Sequence, residues 1–346
     1  MKESVAMNSG NNRNYGRMVG RRLGAQPRRG SGGRLCGFSL IELMIALTIG
    51  IFMLLALQGV LISSSSNRKT NDRTSELQTN GRYALDYLKR ELQHAGYQGN
   101  TWAEPTAPTG LGTITNECAA GSAANLRQGI WGTNDANPFS AVVSGSACIP
   151  TSAYSTGTDV LVMRRASFTP VASSALAANT LYVRSAYERL QVFNGATGPV
   201  FTEVPNADFR LENSVFYISP FTVSAGERPL VPALWRSFLT TGPAMRAELV
   251  ASGIQDLQIE YGRFTTDGNI QYFTANNVDA AATSATTAAT GWDDVKAVRL
   301  WLLVRNSTPE QGYSNTSTYN LGTRTVTVND SFRRQVFSSV VTLRNN

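Results

Sequence analysis

Residues 38–62 read FSLIELMIALTIGIFMLLALQGVLI, and Glu42 is the only charge among them. As an α-helix the stretch is about 37 Å long, enough to cross the hydrocarbon core of a bilayer. A cleaved secretory signal has a shorter apolar core, roughly 7–15 residues, closed by a small-x-small site. Neither feature is present, so the reading is one transmembrane helix that stays attached. The residues before it carry Lys2, Arg13, Arg17, Arg21, Arg22, Arg28, Arg29 and Arg34 against the single acid Glu3. That excess of positive charge holds residues 1–37 on the cytoplasmic side and sends the C-terminus outward.

The same block explains the net charge of +7. Taking its eight basic residues and one acid from totals of 31 and 24 leaves 23 of each. The remainder is formally neutral, which excludes a nucleic-acid partner for it. Residues 1–37 are rich in Gly, Arg, Asn and Ser and show no apolar period, so no packed structure is expected of them.

Beyond Ile62 the sequence turns polar but keeps a helical period. Leu77, Ala84, Leu85, Leu88, Leu92 and Ala95 recur at three- and four-residue steps without an intervening proline, and Gly96 and Gly99 supply the stop. One helix is expected from about Phe38 to Ala95, roughly 85 Å long. Its transmembrane half covers 38–62 and its amphipathic half 63–96. Residues 100–157, rich in small and polar types, read as a long loop region. The period then changes to two, and strands are expected at 159–164, 181–184, 215–218, 254–261, 295–304, 324–328 and 336–343. Asp267-Gly268 between alternating segments signals a tight hairpin. Residues 275–290, ANNVDAAATSATTAAT, read as a low-complexity surface loop. The fold class is α+β: a long N-terminal helix packed on a β-rich domain spanning 97–346.

Gly37-Phe38-Ser39-Leu40-Ile41-Glu42, followed by LMIALTIG, resembles the processing and assembly motif of type IV pilins and secretion pseudopilins. The resemblance implies that a prepilin peptidase cuts between Gly37 and Phe38 and methylates the new amino group of Phe38. Glycine leaves access to the scissile bond unobstructed. Glu42 is not explained by anchoring, since an acid in an apolar span costs on the order of 3 kcal/mol. No Lys or Arg lies between Phe38 and Ile62, so a partner in the same span is excluded. The resemblance implies that Glu42 pairs with the charged N-terminus of a neighbouring subunit. Processing would remove Cys36 and leave Cys118 and Cys148 in an oxidising compartment, where a disulfide between them is expected. Leaders of this class are usually shorter than 37 residues, and Met18 offers an alternative start.

Segments 81–99, 253–262, 295–306 and 333–346 are similar to PilW-type minor pilins, which are related to the J-type minor pseudopilins of type II secretion. The similarity implies a scarce subunit that primes a type IV pilus at the inner membrane. Its expected partners are prepilin peptidase, other minor pilins, the major pilin, the inner-membrane assembly platform and, at the tip, a large adhesin. It would be single-pass, with its C-terminal domain in the periplasm and later at the cell surface. Alternatives are a minor pseudopilin of a type II secretion system and a surface adhesin subunit.

Catalysis is not expected, and neither is a cofactor. The one histidine, His94, reads as a solvated helix residue without a nucleophile motif around it. No Cys/His cluster has zinc spacing. Asp267-x-Asn269-x-Gln271 lacks the downstream glutamate of a calcium loop, and Asp293-Asp294 reads as a turn cap. The glycine-rich stretches lack a phosphate-loop lysine.

Overall fold

The computed structural model describes residues 37–265, 267–278 and 291–345. The leader up to Cys36, the alternative start at Met18, and residues 279–290 of the expected loop lie outside the described residues. The chain divides into two units, Met1–Ile62 and Ser63–Asn346.

Helix α1 runs Leu40–His94 without a break. Gly96 and Gly99 end it in left-handed conformations, φ +75° and +83°. A Cβ on Gly99 would also meet the Phe209 ring at 2.6 Å. In the second unit Leu77, Gly81, Ala84, Leu88 and Leu92 form the buried stripe of the helix. The steps are all of three or four residues, which keeps one face toward the sheets.

The first sheet has eight strands: β1 (Pro105–Thr109), β2 (Ile130–Thr133), β3 (Val160–Val171), β4 (Leu181–Ala186), β5 (Arg189–Asn194), β6 (Asn206–Ser219), β7 (Ala233–Thr240) and β8 (Ala244–Ser252). Its backbone order is β1-β5-β4-β6-β3-β2. The long β6 pairs with β4 through its first residues and with β7 through its last, and β8 pairs with β7. All pairs are antiparallel except β1 with β5.

The second sheet joins β9 (Ile254–Phe264), β10 (Ile270–Phe273), β11 (Val295–Arg305) and, after a two-stranded ribbon of β12 (Thr318–Leu321) and β13 (Arg324–Thr327), β14 (Arg334–Thr342). Its order is β10-β9-β11-β14, antiparallel throughout. The β9–β10 hairpin turns at Asp267-Gly268, with Gly268 at φ +76°, as its sequence predicts. The α+β class and its antiparallel C-terminal sheets agree with the sequence.

Two cores flank the first sheet. One joins Leu77, Leu88 and Leu92 of α1 to Leu161, Phe216 and Ile218 of the first sheet and to Leu257, Val298, Leu300 and Leu302 of the second. Alternation on β11 explains its share, because residues 298, 300 and 302 point the same way. The other core lies against residues of opposite parity, Val162, Val183, Val192, Val215 and Tyr217.

The cover of that second core corrects one expectation. Residues 100–157 are not a loose loop, because they contain β1 and β2 and insert Ile114, Leu126, Phe139 and Ile149 into the core. These apolar residues arrive singly between small and polar ones, so no period announces them. The buried Arg164 holds the cover down, donating from Nε to the Ser122 carbonyl at 2.6 Å and from Nη1 to the Gln128 carbonyl at 2.9 Å. Burial lowers its pKa to about 10. A smaller correction concerns residues 275–278, which form a short helix with Ala275 and Val278 buried, not a surface loop.

Candidate assembly and processing site

Gly37 and Phe38 precede α1, and the first helical backbone bond is donated by Leu43 N–H to the Ser39 carbonyl at 3.1 Å. Among the described residues, a Cβ on Gly37 would meet nothing within 4 Å. The Phe38 side chain is 80% exposed. Glu42 lies in the first helical turn, where the helix dipole favours a negative charge. Among the described residues it has no hydrogen-bond or ion-pair partner.

From Leu40 to Ile62 the large apolar side chains are exposed around the whole circumference, including Ile45, Phe52, Leu54, Leu55 and Leu61. Among the described residues this is one helix long and apolar enough to cross a membrane. A surface of this size, apolar all round, is stable only in lipid or against other apolar helices.

In the second unit the early turns of the amphipathic half are tied by polar contacts. Arg73 Nη1 lies 3.5 Å from Glu310 Oε2, and Thr70 Oγ1 donates to Glu310 Oε1 at 3.2 Å. Arg333 pairs with the same carboxylate at 2.5 Å. Hydrogen bonding from Arg333 foremost holds the Glu310 carboxyl below the usual range. One turn on, Ser307 N–H reaches Glu76 Oε1 at 3.4 Å. Further along, Gly81 packs so closely against Phe337 of β14 that an added Cβ would lie 2.3 Å from the ring.

Cys118 and Cys148, both buried, have their sulfurs at bonding distance and their Cα atoms 4.7 Å apart. They sit in the irregular cover of the second core. His94 is half-buried rather than solvated, its ring edge-on to Phe168 at 4.6 Å. Asp294 is paired with Arg263 at 2.9 Å, which fits a structural turn.

Sequence reading missed a carboxylate cluster formed by Asp135, Asp159 and Asp256. Asp159 accepts from Asp135 N–H at 2.9 Å and from Ile259 N–H at 2.7 Å. Arg324, from β13, bonds Asp135 at 2.9 Å and lies 3.1 Å from Asp256. Gln258 Nε2 donates to Asp256 at 3.0 Å. Burial pushes the Asp159 carboxyl up to about 7 and that of Asp256 up to about 6. The cluster joins three distant segments, so spacing along the chain carried no signal of it. Among the described residues no group of His, Cys, Asp and Glu has metal-binding geometry.

Residues 215–345 match the family model of the type IV pilus-assembly protein W, PilW. The match starts inside β6 and covers the second sheet to its last strand. It supports a PilW-type type IV pilus protein, of a structural family not known for catalysis. No curated protein and no solved structure matches the chain.

Proposed function

We propose, from this PilW-type similarity, that the chain is a minor pilin that primes pilus assembly at the inner membrane. The observation that carries the proposal is the bare apolar half-helix headed by Gly37-Phe38 and Glu42. Prepilin peptidase cuts between Gly37 and Phe38 and methylates the Phe38 amino group. The mature protein is single-pass, its β domain periplasmic until the filament carries it to the cell surface. Glu42, without a partner in its own helix, pairs with the terminal amine of a neighbouring pilin. Two charges that are each costly in lipid then offset one another.

A scarce, end-placed subunit fits the size of the second unit, Ser63–Asn346. Repeated at every position of a helical filament, so large a head would crowd its neighbours. Its partners are therefore other minor pilins, the major pilin, the assembly platform and a large tip adhesin. The bridge between Cys118 and Cys148 forms once the domain reaches the oxidising periplasm.

Mass spectrometry decides the proposal in two steps. In wild-type cells the mature chain should begin at N-methylated Phe38, and in cells without the peptidase it should keep residues 1–37. Sheared filaments should hold far less of this chain than of the most abundant pilin, and Glu42→Ala protein should be processed yet lost from them. An intact leader in wild-type cells, or abundance equal to that of the major subunit, would overturn it. Recovery with secretion components in place of filaments would favour a type II pseudopilin.

A further inference from the structure

The turn after α1 and the loop into β1 enclose a polar cleft of about 470 Å³, walled by Gln98, Trp102, Glu104, Arg127 and Asp293. That volume lies within the usual range of small-molecule sites, about 300–1,000 Å³. Trp102 stands at its rim with 69% of its surface exposed. One exposed aromatic residue is ordinary on a protein surface, but here it forms a pair beside a polar cleft. Its ring is held edge-on by Tyr187, itself exposed, with centroids 5.7 Å apart and planes at 81°.

The backbone under Trp102 is fixed. Asn100 N–H donates to Ser185 Oγ at 2.8 Å, Thr101 Oγ1 donates to the Tyr187 carbonyl at 2.9 Å, and Ala103 N–H donates to Thr101 Oγ1 at 2.9 Å. The loop is thereby stapled to the β4–β5 turn, which lowers the backbone ordering cost at binding. Arg127 lies 3.3 Å from Glu104 and 3.9 Å from Asp293. Lys296 Nζ donates to the Asp293 carbonyl at 3.3 Å, so two cations face two carboxylates and the charges of the cleft balance. Gln98 Nε2 is spent on the Leu126 carbonyl at 3.2 Å, which leaves its oxygen as an acceptor.

We propose that this cleft binds a neutral saccharide unit. An indole face suits the C–H face of a pyranose ring, which is apolar on its flat side and polar at its edge. Carboxylate and amide oxygens around it accept from the ring hydroxyls, and the Arg127 guanidinium donates to them. The balanced charge gives no net attraction to phosphates, sulfates, acidic sugars or cations, which favours a neutral ligand. This reading does not depend on the pilus proposal, and its test does not use assembly.

The test uses the full chain, purified in a detergent free of sugar headgroups. Saturation-transfer NMR and calorimetry would be run with maltotriose, lactose and tri-N-acetylchitotriose, with sialyllactose as an anionic and choline as a cationic control. At least one neutral oligosaccharide should bind saturably, with a Kd of about 1 mM or below. Trp102→Ala should weaken it roughly tenfold, while Trp102→Phe keeps most of the affinity. An unchanged melting temperature shows that the variants fold. Lack of binding by all three neutral sugars, tighter binding of either control, or binding indifferent to Trp102→Ala would overturn the proposal.

Discussion

The two halves of α1 have the same backbone and opposite surroundings. Residues 40–62 leave their large apolar side chains exposed on every side, whereas residues 63–94 bury a narrow stripe from Leu77 to Leu92 and expose charge elsewhere. The difference is one of solvent. The first half has no direction that it must face, because lipid and neighbouring apolar helices are equivalent to it. In the second half only one orientation covers Leu88 and Leu92, so the sheets fix its rotation.

Substitutions matched across the two halves test that contrast. All five tryptophans lie beyond residue 100, so fluorescence-detected urea unfolding reports on the head alone. Leu88→Ala, at a fully buried position, should cost about 2–5 kcal/mol of head stability. Leu54→Ala, at an exposed one, should change it by less than about 0.5 kcal/mol. Equal effects would mean that the halves are not independent.

Opening the proposed Cys118–Cys148 bridge by Cys118→Ser should cost roughly 3 kcal/mol, the entropy of a loop of about 30 residues. The same unfolding curve measures it, and alkylation of both cysteines without reductant in native protein would show that no bridge had formed. Gly81→Ala should cost about 1–3 kcal/mol, because the new methyl meets the Phe337 ring. Gly59→Ala meets nothing within 4 Å and should leave head unfolding unaltered.

The smallest effect is on pH dependence. Asp159 titrates near 7 in the folded protein, against an ordinary 3.8, and burial of its charge is the first cause. Between those values the folded state holds more protons than the unfolded state, so stability falls as pH rises. Glu310 and Asp330, held below their ordinary values by arginines, act in the opposite sense but only at more acid pH. Head stability should therefore decline from pH 5 to 7 by about 1 kcal/mol per pH unit for one such group. Asp159→Asn should reduce that slope, leaving the share that Asp256 contributes below about pH 6. A slope unaltered in the variant would show that the group is ionised throughout.

The helix was legible in the sequence because its signal is local: the run at 38–62, the three-four spacing after Leu77, and Gly96 and Gly99 as the stop. Strands 254–264 and 295–305 were legible from their long runs of Leu, Ile and Val, although most positions of both faces are buried. The strands at 189–194 and 233–240 were missed, since the first is short with Arg189, Gln191 and Asn194 among its residues and the second mixes Arg236 and Ser237 into its run. The cover at 100–157 was missed for a different reason: irregular chain buries one side chain at a time. At the candidate site, Gly37, Phe38 and Glu42 are contiguous in the chain and could be read from it. The carboxylate cluster and the Trp102 cleft draw on residues far apart in sequence, and only folding brings them together.

Phe337 sits over Gly81 from far along the chain, on β14, the last strand among the described residues. A nascent chain therefore presents its apolar half-helix to the membrane long before the stripe from Leu77 to Leu92 can be covered. A message cut short before residue 334 yields a product that still inserts, yet lacks the ring that closes over Gly81. Such a product keeps the part of that face around Gly81 open to water, the kind of surface that chaperones and proteases engage. Closure over Gly81 therefore waits on a strand made long after the helix itself.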